Sequence, residues 1–357
     1  MKKARVTIIG TVGVPASYGG FETLVENLIG DNASEGIDYT VFCSSKSYVE
    51  KKEKYKGAKL KYIALKANGA QSTPYDILSM IKTGNKYDVA LVLGVSGCIF
   101  LPVFRLWFKN KLIVNIDGLE HRRGKWGKFA KWFLRKSEAI AVKYADVIVS
   151  DNKGIQDYVT ETYHKESVMI AYGGDHVERT VSEDRSAEIL EQYGVESGNY
   201  AISVCRIEPE NNCHMILEAF SKTDKKLIYI GNWERSEYGK ALKEKYSSYT
   251  NINIHGPEYD LDNLYALRSN AEMYIHGHSA GGTNPSLVEA MFFGKPILAF
   301  DVVYNRATTC EKAYYFKDVN ELVTLLTRDD LEGKMMKDIA QEQYTWKKIA
   351  SQYEALF

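Results

Sequence analysis

The stretch 272–300, EMYIHGHSAGGTNPSLVEAMFFGKPILAF, constrains the fold more than any other. Met273–His276 is an apolar run of the right length for one buried strand, and 278–283 is a loop of mostly small residues that lets backbone approach a ligand. Asn284 suits a helix N-cap, and Pro285 suits the first helical position, where a missing N–H costs nothing. Leu287, Val288, Ala290 and Met291 share one helical face. Gly294 closes the helix, and Pro296 leads into the next apolar run, Ile297–Phe300. The pattern predicts strand, loop, helix, strand, with unpaired N–H groups at the helix mouth that favour a phosphate. Glu289, inside that helix, is suited to accept hydrogen bonds from ribose hydroxyls. The competing reading is turn chemistry alone, in which the glycines only reverse the chain.

The same stretch contains Gly277-His278-Ser279-Ala280-Gly281, a G-x-S-x-G pattern like the nucleophile elbow of α/β-hydrolases. There the helix follows the elbow directly, whereas here 282–285 intervenes. The elbow also requires a histidine downstream, and the histidines at 121, 164, 176, 214, 255, 276 and 278 all precede Ser279. A serine esterase using Ser279 is therefore the lesser enzymatic alternative.

Strand-like runs alternate with helical ones along the whole chain: 5–10, 39–43, 59–64, 88–92, 111–116, 144–150 and 167–172, then 200–204, Leu227–Ile230, Ile252–His255, Met273–His276 and Ile297–Phe300. The alternation predicts an α/β protein with parallel, doubly wound sheets. A chain of 357 residues has room for two such domains. Gly173-Gly174-Asp175 and the low-pattern, charged segment 176–185 read as a linker, which puts the first Rossmann-like domain at 1–178 and the second at 179–342, their strand ends facing a central cleft. The amphipathic C-terminal helix, expected within 341–357 with Trp346, Ile349, Tyr353 and Leu356 on one stripe, packs 343–357 back on the first domain.

Several polar residues fall where such sheets bind ligands, outside the carboxyl ends of strands. The loop TVGVPASYGG lacks the G-x-G-x-x-G spacing, and there is no P-loop, so Gly19-Gly20 at a helix start is a second phosphate cradle of low specificity. Asp117 follows a strand, where it faces a ligand or simply makes an Asp-Gly turn. Arg206 also follows a strand; its guanidinium pairs with a diphosphate, or else bridges Glu208 or Glu210. Tyr259 offers a ring on which a base can stack. Asp260-Leu261-Asp262 has the D-x-D form of metal-dependent sugar transferases, yet it opens a helix and reads as its cap.

Lys+Arg and Asp+Glu are both 46, a balance that argues against nucleic acid as partner. The five cysteines form no C-x-x-C pair, so neither a disulfide framework nor zinc is expected, and a reducing, cytoplasmic compartment fits. The apolar run 6–9 is too short for a signal peptide, and no run is long enough to span a bilayer. One basic, aromatic cluster stands out: Arg122, Arg123, Lys125, Lys128, Lys131, Arg135 and Lys136 interleaved with Trp126, Phe129, Trp132 and Phe133. It reads as contact with an anionic membrane surface, enlarged by the apolar run 99–108, or as a surface helix whose aromatics enter the core.

With RVTIIGTVGVPASYGGFETLVENL, NIDGLEHRRGKW, CRIEPENN and HGHSAGGTNPSLVEAM in place, the chain resembles the family-four glycosyltransferases of the GT-B fold over its whole length. Within them it is most similar to the bacterial rhamnosyltransferase subgroup. The resemblance implies a retaining transferase that needs no cofactor and no metal. It would move a sugar from a nucleotide-sugar donor, dTDP-rhamnose or alternatively a UDP- or GDP-hexose, to a lipid-linked or cell-surface saccharide of the capsule type. It further implies a peripheral place on the inner face of the cell membrane. By the same resemblance Gly19 and Gly20 lie beneath the donor phosphates, Arg206 holds the leaving diphosphate, and Gly281, Gly282, Thr283 and Asn284 line sugar and phosphate. Glu289 takes the ribose, and Asp117 faces the sugar or the acceptor hydroxyl. Two departures stand out: the family's lysine five residues after the arginine is Asn211, which is still expected to contact the donor, and its glutamate eight residues before Glu289 is Gly281. The first removes a cation from the leaving group, and the second removes a ligand for sugar hydroxyls, which fits a deoxy sugar.

Overall fold

The computed structural model describes residues 3–16, 19–30, 34–122, 124 and 126–357. The chain divides into two compact units, 1–172 with 346–357, and 173–345. The first contains a sheet of eight strands in the order Lys54–Tyr55, Ala58–Ile63, Ile37–Ser44, Ala4–Ile9, Val89–Leu93, Lys111–Asn115, Val147–Ser150 and Val168–Met169. Every pairing is parallel except the first, an antiparallel edge. The central strands are continuous β-branched and leucine runs, as a sheet covered on both faces requires, and Val89–Leu93 is buried at every position.

The second unit has a six-stranded parallel sheet in the order Ile252–His255, Leu227–Ile230, Ala201–Val204, Met273–His276, Ile297–Phe300 and Tyr314–Phe316. Both sheets have the doubly wound α/β form that the alternation predicts. Each has a point where strand order reverses. In the first, Ala4–Ile9 is flanked by Ile37–Ser44 on one side and Val89–Leu93 on the other. In the second, Ala201–Val204 lies between Leu227–Ile230 and Met273–His276. Such a reversal point, at the carboxyl ends of the strands, is the usual ligand position in doubly wound sheets.

Three boundaries differ from expectation. The chain enters the second unit at 173, ahead of the expected 178/179. Gly174 donates its N–H to the Tyr344 carbonyl at 2.8 Å, and a Cβ on Gly174 would meet Val288 at 2.8 Å, so this turn already packs on the second core. The segment 176–185 is consequently no loose linker: His176 reaches Glu289, and Ser182 caps the helix Glu183–Gln192. The terminal helix, expected over 341–357, is two helices, Lys334–Gln343 and Trp346–Glu354, with the unit change between them. Trp346, Ile349, Ala350 and Tyr353 enter the first core beside Leu24, Val25 and Leu28, and the Tyr353 hydroxyl accepts from Asn115 Nδ2 at 2.7 Å. No described helix is long and apolar enough to cross a membrane.

Candidate functional site

The strand-order reversal of the second sheet selects two loops, 205–212 after Ala201–Val204 and 277–284 after Met273–His276. Together they hold most of the residues that the sequence singled out. Arg206 is half-buried, and among the described residues its guanidinium pairs with no carboxylate, so the bridge to Glu208 or Glu210 is not formed. In the second loop Gly282 has φ of +93°, a left-handed conformation that favours glycine. Among the described residues the N–H groups of Gly281, Gly282 and Asn284 have no hydrogen-bond partner, and both Gly282 and Thr283 are buried. A guanidinium and several amides left unpaired at the carboxyl end of one sheet can stabilise a multiply charged anion.

The helix start itself is not bare, contrary to expectation. Asn284 Oδ1 accepts from the Ser286 N–H at 3.0 Å, and the Asn284 carbonyl takes the N–H groups of Leu287 and Val288. Asn284 caps the helix Pro285–Met291, so the amides open to a ligand belong to the preceding loop rather than to the helix.

Asn211 also departs from its expected role as a donor contact. It is 3% exposed, its Nδ2 donates to the Arg206 carbonyl at 2.6 Å, and its Oδ1 faces His278 Nδ1 at 2.6 Å. Both ends of the amide are spent inside the protein. Ser279 is committed as well: its N–H and hydroxyl donate to the Glu210 carbonyl at 2.8 and 2.9 Å, which makes it a loop fastener rather than a nucleophile. Gly277 must be glycine, because a Cβ there would lie 2.2 Å from the Asn211 carbonyl oxygen.

Glu289 lies in a network invisible in the sequence. Arg268, 5% exposed, donates through Nη2 to Glu289 Oε2 at 2.7 Å, and His176 Nε2 lies 3.4 Å from Oε1. Burial alone would raise the Glu289 pKa, but Arg268 and His176 outweigh it and bring it to about 2. The carboxylate is charged and oriented, and keeps lone pairs to accept a hydroxyl. Nothing in local sequence marks Arg268, and His176 lies in the segment read as linker. Tyr259 is 67% exposed after Ile252–His255, and Asp260 caps the helix Leu261–Ser269 through the N–H groups of Asp262 and Asn263.

In the first unit, Gly19 and Gly20 stand at the start of the helix Gly20–Leu28. A Cβ on Gly19 would lie 1.9 Å from Glu22 Oε2, and the other oxygen, Oε1, accepts from Thr11 Oγ1 and the Val12 N–H at 2.9 and 2.7 Å. The protein's own carboxylate thus sits beside this helix start, which weakens it as a phosphate cradle. Asp117 follows Lys111–Asn115 with φ of +58°, half-buried, its N–H held by Asn115 Oδ1 at 2.9 Å.

The basic, aromatic segment is the helix Lys128–Tyr144 and the turn before it; Arg123 and Lys125 lie outside the described residues. Leu134, Ala141 and Val142 face the core, whereas Phe129 and Trp132 are 77% and 56% exposed with ring centroids 5.8 Å apart. Lys128 is exposed and Lys131 half-buried. Trp126 is tied down by its Nε1–H to Glu120, and the Arg122 guanidinium lies over the Tyr158 ring at 4.8 Å. Val103 and Leu106, on and just after the neighbouring helix Leu101–Phe104, are exposed too. Among the described residues no group of three or more His, Cys, Asp or Glu could hold a metal ion.

Residues 185–330 match the family Glycosyl transferases group 1, and residues 3–175 match a domain of unknown function, DUF1972. No curated protein sequence matches the chain. Among solved structures, sucrose-phosphate synthase from Thermosynechococcus elongatus superposes with a TM-score of 0.82 at 17% identity, covering 99% of this chain and 98% of the other. Anabaena HepE, in complex with UDP and glucose, gives 0.76 at 13% identity, with 99% and 98% covered. The catalytic domain of starch synthase IV from Arabidopsis thaliana, bound to ADP and acarbose, gives 0.71 at 12% identity, with 100% and 99% covered. These likenesses establish a GT-B architecture of two Rossmann-like domains. The second unit therefore carries a glycosyl transferase group 1 domain over residues 185–330.

Proposed function

We propose that the chain is a retaining transferase that takes a sugar from a nucleotide diphosphate donor, L-rhamnose from dTDP-rhamnose, and adds it to a lipid-linked saccharide at the inner face of the cell membrane. One observation carries the donor half of this reading. Arg206, without an ionic partner, and the unpaired amides of Gly281, Gly282 and Asn284 lie on the two loops that follow the strands where strand order reverses. When the bond from the anomeric carbon to the phosphate oxygen breaks, its electron pair leaves with the diphosphate, and these donors meet the charge that develops. Glu289 is the group for a ribose hydroxyl, the exposed Tyr259 for the base, and Asp117 in the first unit for the sugar or the acceptor hydroxyl. Anabaena HepE complexes with UDP and with UDP-glucose support a nucleotide-sugar donor and favour UDP-hexose as the second reading.

The sugar rests on the rhamnosyltransferase-like segments and on Gly281, which leaves no carboxylate for a further sugar hydroxyl. The membrane rests on Phe129 and Trp132, two exposed aromatics flanked by cations. The test is nucleotide release from dTDP-rhamnose and from UDP-hexoses in the presence of a lipid-linked acceptor extract. Arg206→Ala is expected to lower kcat on the order of a hundredfold, the scale of one lost donor to a developing charge, with the acceptor KM little changed. Unchanged turnover in that variant removes Arg206 from the leaving-group site.

A further inference from the structure

The two loops of the candidate donor site are sewn together by side-chain amides. Asn211 Nδ2 donates to the carbonyl of Arg206, and Asn211 Oδ1 lies 2.6 Å from His278 Nδ1. Around this pair, Asn212 Nδ2 donates to the Gly277 carbonyl at 2.9 Å, and Ser279 donates twice to the Glu210 carbonyl. On the far side, Asn305 Nδ2 donates to the carbonyls of His278 and Phe300, both at 2.8 Å, and so fixes the second loop to the next strand. Asn211 and His278 are both buried. The amide orientation is determined by its own bonds. The NH2 group is spent on a carbonyl, so the oxygen faces the imidazole, and Nδ1 of His278 must carry the hydrogen.

We propose that Asn211 and His278 form a positioning pair that locks the backbone of Arg206 onto the glycine loop, so that the guanidinium and the loop amides close on one diphosphate. The proposal rests on the diphosphate reading above. Neither residue needs to touch the donor. They act through Arg206 and through 281–284, and their loss is felt where two phosphates must be met at once.

The probes are UDP and dTDP, each compared with its monophosphate by calorimetric binding to the full chain. Asn211→Ala and His278→Ala are each expected to weaken diphosphate binding about tenfold or more, the scale of a modest misplacement of binding groups, with the monophosphates little affected. The double variant is expected to be no worse than either single one, because one linkage is broken in each. His278→Asn, whose amide can present an N–H near the place of Nδ1–H, is expected to recover most of the loss. Asn211→Asp, which keeps the acceptor for His278 but turns an oxygen toward the Arg206 carbonyl, is expected not to. If the alanine variants fail to fold, these two polar variants carry the test. Additive losses, equal losses for diphosphate and monophosphate, or no loss at all would overturn the pair. Arg206→Ala separates this from the parent reading. If that variant keeps the wild-type preference for diphosphate over monophosphate, the diphosphate site itself is wrong. If it loses the preference while the pair variants keep it, only the positioning role falls.

Discussion

Glu289 shows how burial and charge oppose each other at a single residue. Taking the carboxylate out of water favours its neutral form, yet a guanidinium at 2.7 Å and an imidazole at 3.4 Å hold it ionised with a pKa of about 2, against an ordinary 4.5. The folded-state pKa is depressed, so its contribution is complete above about pH 4.5 and is lost as pH falls toward 2. A shift of this size corresponds to about 3 kcal/mol. Glu289→Gln is therefore expected to show a shallower loss of stability than the wild type between about pH 5 and pH 2, measured by urea unfolding at each pH. It is also expected to be less stable at neutral pH, because the buried Arg268 loses its partner. Parallel pH profiles would mean that the clamp on Glu289 is not maintained in solution. Asn211 makes the complementary point. Its type was informative, since an amide cannot replace a lysine's charge, but its partner lies 67 residues away, and local sequence could not show that both ends were already bonded.

Among elements, legibility followed length and uniformity. Leu227–Ile230, Ile252–His255, Met273–His276 and Ile297–Phe300 could be read directly, because each is a short run rich in β-branched or large apolar residues bounded by turn residues. Tyr314–Phe316 and Lys54–Tyr55 went unread: runs of two or three residues carry no period, and their pairing is decided by neighbours distant in sequence. The boundary between Lys334–Gln343 and Trp346–Glu354 was hidden for another reason, since both helices are amphipathic and only tertiary packing assigns them to different units. The helix Lys128–Tyr144 was ambiguous by pattern, and packing decides it: Leu134, Ala141 and Val142 go inward, while Phe129 and Trp132 stay in solvent. Two exposed aromatics beside Lys128, with Arg135 and Lys136 also exposed, suit an anionic lipid surface, where each basic group contributes roughly 1 kcal/mol. Phe129→Ser with Trp132→Ser is expected to abolish co-sedimentation with vesicles containing anionic lipid and to leave the thermal midpoint nearly unchanged. Added salt is expected to weaken binding of the unaltered protein. Wild-type binding that is indifferent to salt and to lipid charge would remove the membrane role.

At the scale of the molecule, each unit has its own sheet and its own core, and the donor-site candidates are divided unequally between them. Arg206, Tyr259, the loop 281–284 and Glu289 all belong to 173–345, while Gly19, Gly20 and Asp117 belong to the unit that contains Ala4–Ile9. Glu22 beside the Gly19 turn reduces the claim of that turn on an anion, so the nucleotide is expected to bind chiefly through the second unit. Binding to the native state alone lowers the population of open states by the factor 1 + [L]/Kd, about a hundredfold at a hundred times Kd, or about 2.7 kcal/mol. Hydrogen exchange with and without nucleoside diphosphate reads this unit by unit. The slowest-exchanging amides of Ala201–Val204 and Met273–His276 are expected to slow by up to that factor, and those of Ala4–Ile9 and Val89–Leu93 much less. Equal slowing in both sheets would return the Gly19–Gly20 turn to the phosphate site. Slowing confined to the first sheet would remove Arg206 and the glycine loop from it, and with them the account of how the leaving diphosphate is held.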